Sequence, residues 1–224
     1  MSNDRTVLVF GAGGHGRAIA EVATRAGWRV AGFVDDAPGT KEKRCGSAHI
    51  FGDREWLRRF IPRSWRVALG VGDNHARKAI AEFLQAGGIA LSTIVSSDAV
   101  VSTSCEIGAG AVIMPGAVVN ADVIVGSGAI LNTGSVVEHD ARVGRFVHIA
   151  PHATLGGGSQ AGDLTLVGMG AALLPAIRVG KRCVLGALSL ATMDLPDDVT
   201  AYGVPARIQS PRVSGQMTVA YNRV

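Results

Sequence analysis

The residues best suited to chemistry fall into two groups. The first is Gly11, Gly13, His15, Gly16 and Arg17, whose glycines satisfy G-x-G-x-x-G directly after the apolar segment TVLVF. Glycines in such a turn let backbone N–H groups approach a phosphate at a helix N-terminus. The Arg17 fork matches two phosphate oxygens, and His15 either contacts the phosphate or caps the helix. Asp35 and Asp36 follow about 20 residues later, where acids accept hydrogen bonds from a ribose or a base. A second strand–turn–helix pattern, WRVALGVGDNHARKAIAEFLQAGG, brings Asn74 and His75 to its turn. Alone, the motif fits NAD, a mononucleotide or nucleotide sugar, or a packing turn without ligand. The unit has only about 90 residues, half of a dinucleotide fold, and so suits the smaller ligand better. The second group is His139, His148 and His152, with Asp140 beside the first. Imidazoles titrate near neutrality and serve as bases or metal ligands.

The elements that carry these residues differ between the two halves. Eight of the eleven aromatics precede residue 90, and between 95 and 190 only Phe146 occurs. Over that span every sixth residue from Val95 to Leu185 is Val, Ile or Leu in fifteen of sixteen cases, Ala161 being the exception. Four residues after each stands a small or β-branched residue, such as Ala99, Ala117, Ser135 and Ala153. A strict period of six fits neither a helix nor one continuous strand. It fits short strands joined by tight corners, which wind a solenoid with the branched residues stacked inside. A thin prism has no room for aromatics.

This hexapeptide pattern resembles the left-handed parallel β-helix of the acyltransferase superfamily, in which three hexads make one coil. The 96 residues then give about five coils, roughly 25 Å tall at the usual strand spacing. The sequence thus implies an α/β N-terminal Rossmann-like βαβ domain (1–92), a left-handed parallel β-helix (93–190) and a C-terminal tail (191–224). Taken together, GAGGHGRAIAEVA, FVDD, LGVGDNHARK, ILNTGSVVEHDARVGRFVHIAPHATLGG and AYGVPAR resemble the bacterial nucleotide-sugar N-acetyltransferases and their sialic-acid O-acetyltransferase relatives. The resemblance implies that residues 11–17, Asp35, Asp36 and Asn74 hold a nucleotide-linked amino sugar. It implies acetyl-CoA as co-substrate, His139 as general base with Asp140 as its partner, and a homotrimer with intersubunit active sites. His148, Gly157, Lys181 and Arg207 are then the residues expected to meet acetyl-CoA, with the tail closing on it. The implied setting is cytoplasmic polysaccharide biosynthesis.

The residues agree with that reading. His139 lies two positions past the inward Val137, so it falls on a coil corner and faces outward. An amine must lose a proton as it attacks a thioester, and a neutral imidazole steadied by a carboxylate suits that step. The same base would serve a hydroxyl, so sugar O-acetylation stands as the alternative. A zinc site on one chain is not expected, because residues align vertically only 18 apart and His139 and His148 are half a coil apart. Two other classes stay open: a non-catalytic hexapeptide scaffold that senses a nucleotide, separable by thiol release, and an NAD-dependent dehydrogenase, separable by NADH titration.

Composition narrows the field further. Over 224 residues the net charge is only +4, with 14 basic against 9 acidic residues in 1–94, which suits an anionic sugar nucleotide better than nucleic acid. No apolar run approaches the length of a membrane span, and the opening MSNDRTVLVF lacks the pattern of a cleaved signal. Three scattered cysteines, Cys45, Cys105 and Cys183, form no disulfide or zinc framework and fit a reducing compartment.

Overall fold

A computed structural model describes residues 5–37, 44–45 and 48–211. Cys45 is placed only as backbone, and the tail beyond residue 211, expected to close on the co-substrate, lies outside the described residues.

The N-terminal unit runs β1 (Thr6–Phe10), α1 (Gly14–Arg25), β2 (Arg29–Val34), β3 (Arg44–Cys45), β4 (Ala48–His49), α2 (Arg54–Phe60), β5 (Arg66–Leu69) and α3 (Asn74–Ala86). The run TVLVF forms the middle strand because all five of its residues are buried. Parallel β2 and β5 flank it in the order β2-β1-β5, so the expected βαβ crossover is β1-α1-β2. Helix α1 turns Ile19, Val22 and Ala23 inward, and α3 turns Ile80, Ala81 and Leu84 inward, at helical spacing.

From β6 (Ile94–Val95) to β22 (Leu190–Ala191) the chain forms seventeen two-residue strands, one per hexad. Each pairs in parallel with the strand eighteen residues away, as Val136 with Thr154 and Val137 with Leu155. The result is the expected left-handed parallel β-helix, of nearly six coils rather than five because the repeat continues to Ala191. In each strand the second residue points inward: Ile113, Val119, Leu131, Val137, Ile149, Leu155 and their equivalents form one core, none more than 2% exposed from Ile113 to Leu185. Burying each such side chain contributes about 1.5–3 kcal/mol, and the stack repeats that gain coil after coil.

The first residue of each strand points outward and gives the prism three unlike faces. The first face carries Ile94, Val112, Ile130 and His148, all buried beneath the N-terminal unit. Val7, Val9, Ile19 and Phe33 share a core with Ile94, Val112 and Ile130, so the two units are packed as one body there. The second face presents Val100, Val118, Val136, Thr154, Ala172 and Leu190. The third presents Glu106, Ile124, Arg142, Gln160 and Arg178. Strand β23 (Val199–Gly203) continues the first-face ladder, and β24 (Ala206–Pro211) adds to it antiparallel. No helix among the described residues is long and apolar enough to cross a membrane.

Candidate functional site

The glycine-rich turn links β1 to α1, and its three motif glycines do different work. Gly11 has φ of +107°, and a Cβ there would lie 2.7 Å from the Gly70 carbonyl oxygen. A Cβ on Gly16 would lie 1.8 Å from the Gly11 carbonyl oxygen, so only glycine permits this helix–strand approach. A Cβ on Gly13 would meet nothing within 4 Å. Gly13 is the N-cap of α1, with no side-chain cap and no acid in the first turn. The backbone N–H end of a twelve-residue helix is thus presented to open space, the arrangement that attracts an anion. The Arg17 guanidinium lies over that first turn, 3.9 Å from where a Gly14 Cβ would stand.

Asp35 and Asp36 flank the loop but are engaged internally. The Asp35 carboxylate accepts from the Ala12 N–H (2.7 Å) and the Ala37 N–H (2.8 Å), which ties the end of β2 to the loop. Asp36 accepts from the Arg54 backbone N–H (3.0 Å) and from its guanidinium Nε (2.8 Å). Asp36 and Arg54 therefore stand beside the loop as an ion pair.

Behind the loop, where the units meet, the structure gathers His15, Asn74 and His148 with two residues that sequence reasoning missed, Arg77 and Asn132. The His15 and His148 rings stand 6.2 Å apart between centroids. His148 is 6% exposed, and the Asn132 side-chain amide lies 3.0 Å from its Nε2. Burial, and then the charge of Arg77, lower the His148 pKa to about 3 and that of His15 to about 4, so both rings are neutral at physiological pH. The His15 Nε2 is buried with no hydrogen-bond partner among the described residues. Asn74 donates to the Leu164 and Thr165 carbonyls at 3.0 and 3.1 Å and accepts from Arg77, so its amide joins the two units rather than facing open space.

His139 lies elsewhere, on the edge between the second and third faces, where the chain passes from Val136–Val137 to Arg142–Val143. Its Nδ1 is 2.8 Å from Asp140 Oδ2, and both side chains are about two-thirds exposed (65% and 66%). Asp140 takes a left-handed φ of 60° at the corner. The hydrogen bond to Asp140 raises the His139 pKa above the ordinary imidazole value. With Nδ1–H donating to the carboxylate, Nε2 is left as the basic atom and faces solvent. Gly157 stands one coil above; a Cβ there would be 2.8 Å from both Cε1 and Nε2 of the ring. The imidazole thus uses the space that a side chain at 157 would occupy.

Lys181 lies on the edge between the third and first faces, its backbone N–H bonded to Asp197 (2.8 Å). With Arg142, Arg145, Asp163 and Arg178 it rims an open groove of about 740 Å³ along the third face. Arg145 is forked onto Asp163 at 2.8 and 3.0 Å. Arg207 lies in β24 opposite Tyr202, at the end of the first face. One chain therefore places the glycine-rich loop with His15, Asn74 and His148 on one side of the prism, and His139, Asp140 and Gly157 on another edge. Among the described residues no group of three or more His, Cys, Asp or Glu side chains could hold a metal ion.

Comparison with known proteins gives the same division of the chain. Residues 6–84 match the PglD N-terminal domain, and residues 99–139 match the bacterial transferase hexapeptide (six repeats). The acetyltransferase domain of PglB from Neisseria gonorrhoeae FA1090 is 33% identical with a TM-score of 0.86, covering 92% of this chain and 100% of that one. PerB from Caulobacter crescentus, solved with CoA and GDP-perosamine, is 34% identical with a TM-score of 0.86, covering 92% of this chain and 97% of that one. The UDP-N-acetylbacillosamine N-acetyltransferase of Bacillus subtilis is 39% identical over 121 residues, a match spanning about half of each chain (49% and 51%). The same two-part architecture, shared at this identity over nearly the full length of the solved relatives, shows that the chain belongs to the hexapeptide-repeat acetyltransferase family with a PglD-type N-terminal domain.

Proposed function

We propose that the protein transfers the acetyl group of acetyl-CoA to the amino group of a nucleotide-linked sugar, with His139 as general base. The observation that carries this is the His139–Asp140 pair: an exposed imidazole with Nδ1 tied to a carboxylate at 2.8 Å and Nε2 open to a substrate. His139 Nε2 takes the amine proton as the nitrogen attacks the thioester carbonyl. The C–N bond forms, the C–S bond breaks, and the proton passes on to the departing thiolate. Asp140 holds the tautomer and steadies the imidazolium. A base in this position contributes on the order of 100- to 10,000-fold. The Gly157 backbone N–H and His148 contact the acetyl group, and Gly13, Arg17, His15 and the Asp35–Asp36 edge hold the nucleotide.

The residues fit acetyl-CoA as donor. Arg142, Arg145, Arg178 and Lys181 supply cations for its phosphates along the third-face groove, and the hairpin carrying Arg207 closes over the bound donor. The working unit is a homotrimer in the cytoplasm. Two features support assembly: the second face is an apolar stripe (Val100, Val118, Val136, Ala172, Leu190), and one chain does not bring the glycine-rich loop and His139 to one side. A second copy against that stripe supplies the missing half of each site.

The test is His139→Ala in a thiol-release assay, followed by acetyl-CoA titration calorimetry. Turnover is lost while acetyl-CoA affinity stays near wild type; retained turnover refutes the assignment. A screen of UDP- and GDP-linked amino sugars against free sialic acid distinguishes N- from O-acetylation.

A further inference from the structure

The contact between the two units holds a cation that the reaction above does not use. Arg77, in α3, is fully buried. Its hydrogen-bond partners are carbonyls and one amide, with no carboxylate among them. Nε donates to Gly128 O (2.7 Å), and Nη1 donates to Gly72 O (2.9 Å) and Val71 O (3.1 Å). Nη2 donates to Asn74 Oδ1 (2.8 Å) and Phe146 O (2.9 Å). Burying a guanidinium with no carboxylate bonded to it is costly, and apolar side chains would join two units at lower cost. What the planar fork provides is the fixed direction of several carbonyls at once.

One of those carbonyls bears on the reaction. Phe146 O, held by Arg77 Nη2, belongs to the residue two before His148, and Val147 O beside it lies 3.4 Å from the same nitrogen. The His148 ring nitrogen Nε2 faces the Asn132 Nδ2 donor at 3.0 Å, and Asn132 is oriented by the Thr133 N–H bonding its Oδ1 at 2.8 Å. Asn132 therefore specifies the His148 ring as the Nδ1–H tautomer, and Arg77 fixes the backbone that brings the ring to that donor. We propose that Arg77 is a positioning residue, which fixes the placement of the His148 ring, and with it the tautomer set by Asn132, by tying the Phe146 and Val147 carbonyls to α3. The inference rests on the place given above to His148 beside the acetyl group. The charged and titratable groups around these rings are Arg77, His15 and His148 themselves, with Asp73 acting on Arg77. The Arg77 charge also disfavours protonation of both imidazoles.

The experiment compares wild type with Arg77→Lys and Arg77→Met by nitrogen NMR of histidine-labelled protein from pH 5 to 8, and by thiol-release kinetics. In the wild type His148 holds one neutral tautomer throughout. Arg77→Lys keeps the charge but loses the fork, so His148 becomes a tautomer mixture without protonating. Arg77→Met removes fork and charge together and gives the same tautomer mixture, still without protonation because burial, the larger cause of the low pKa, remains. Misplacing a reacting group by about 1 Å costs roughly 100-fold, and kcat/KM falls by 10- to 100-fold in both variants. If Arg77→Met does not fold, Arg77→Lys decides alone. A folded variant whose His148 signal keeps the wild-type tautomer and titration overturns the proposal. His148→Gln separates the two ideas: wild-type turnover there removes His148 from the reaction, while the NMR result still decides what Arg77 does.

Discussion

Two adjacent glycines should fail in opposite ways when given a methyl group. Gly157 has a φ open to any residue, so Gly157→Ala meets no backbone strain. Its new Cβ would lie 2.8 Å from Cε1 and Nε2 of His139, whereas non-bonded carbons sit at about 3.5–4.0 Å. The imidazole must therefore retreat by roughly 1 Å. No packing opposes the retreat, because 65% of the side chain is exposed. The retreat breaks the 2.8 Å bond to Asp140 and carries Nε2 away from the amine. A misplacement of about 1 Å costs on the order of 100-fold in rate. Stability should hold or rise by about 0.4–1 kcal/mol, since alanine narrows the unfolded ensemble. Gly156→Ala meets backbone instead: its Cβ would lie 2.6 Å from Pro175 N and 2.9 Å from Leu173 O. That clash cannot rotate away, so the variant loses about 1–3 kcal/mol of stability. Thiol-release kinetics at saturating acetyl-CoA, paired with thermal melts, read both effects. A Gly157→Ala enzyme within twofold of wild-type kcat, or one that loses its melting temperature together with its rate, refutes the geometric argument.

Other outcomes follow from the same geometry. Asp140 raises the His139 pKa, chiefly by hydrogen bonding, and the base works only when neutral, so kcat/KM declines as pH falls through that raised value. Asp140→Asn shifts this acid limb to lower pH and lowers the plateau; a pH–rate profile with an unmoved limb contradicts it. Val136→Asp puts a charge in the second-face stripe and should give a monomer by light scattering with turnover lost, whereas an intact active trimer would exclude that face as the interface. Gly16→Ala drives a Cβ to 1.8 Å from Gly11 O, so soluble yield and melting temperature should drop sharply; a wild-type melt would show that the turn relaxes.

The repeat was the most legible part of the chain because its physics is local and periodic. A branched residue at every sixth position admits one stacking arrangement, and Val137 over Leu155 is that arrangement. The glycine-rich turn was legible as a turn, but not in how its work is divided: packing claims Gly11 and Gly16 and leaves Gly13 facing open space. Asp35 and Asp36 read as acids available to a nucleotide, yet Ala12, Ala37 and Arg54 engage them first, through contacts that spacing does not record. Arg77 was missed because ARK on a helix reads as solvated surface. Its position gave a usable signal, since residues 74, 77, 80, 81 and 84 form one face, and a charge in line with the inward Ile80, Ala81 and Leu84 marks a buried polar contact. His148 lies buried under the N-terminal unit, a placement that required knowing which prism face that unit covers.

The hairpin at the end of the coil stack has a consequence for solubility. In-register parallel ladders with two-residue rungs have the same geometry by which fibrils recruit new strands, and an open rung would invite another molecule to continue the winding. On the first face that continuation is blocked. After β23 the chain reverses into β24, so the outermost strand runs against the ladder, and the register between the two shifts at Thr200–Ala201. A reversed, irregular edge bearing Arg207 is a poor template for a parallel incoming strand. The same turn of chain proposed to close over the co-substrate thus also makes the first-face edge a poor place for a second molecule to continue the winding.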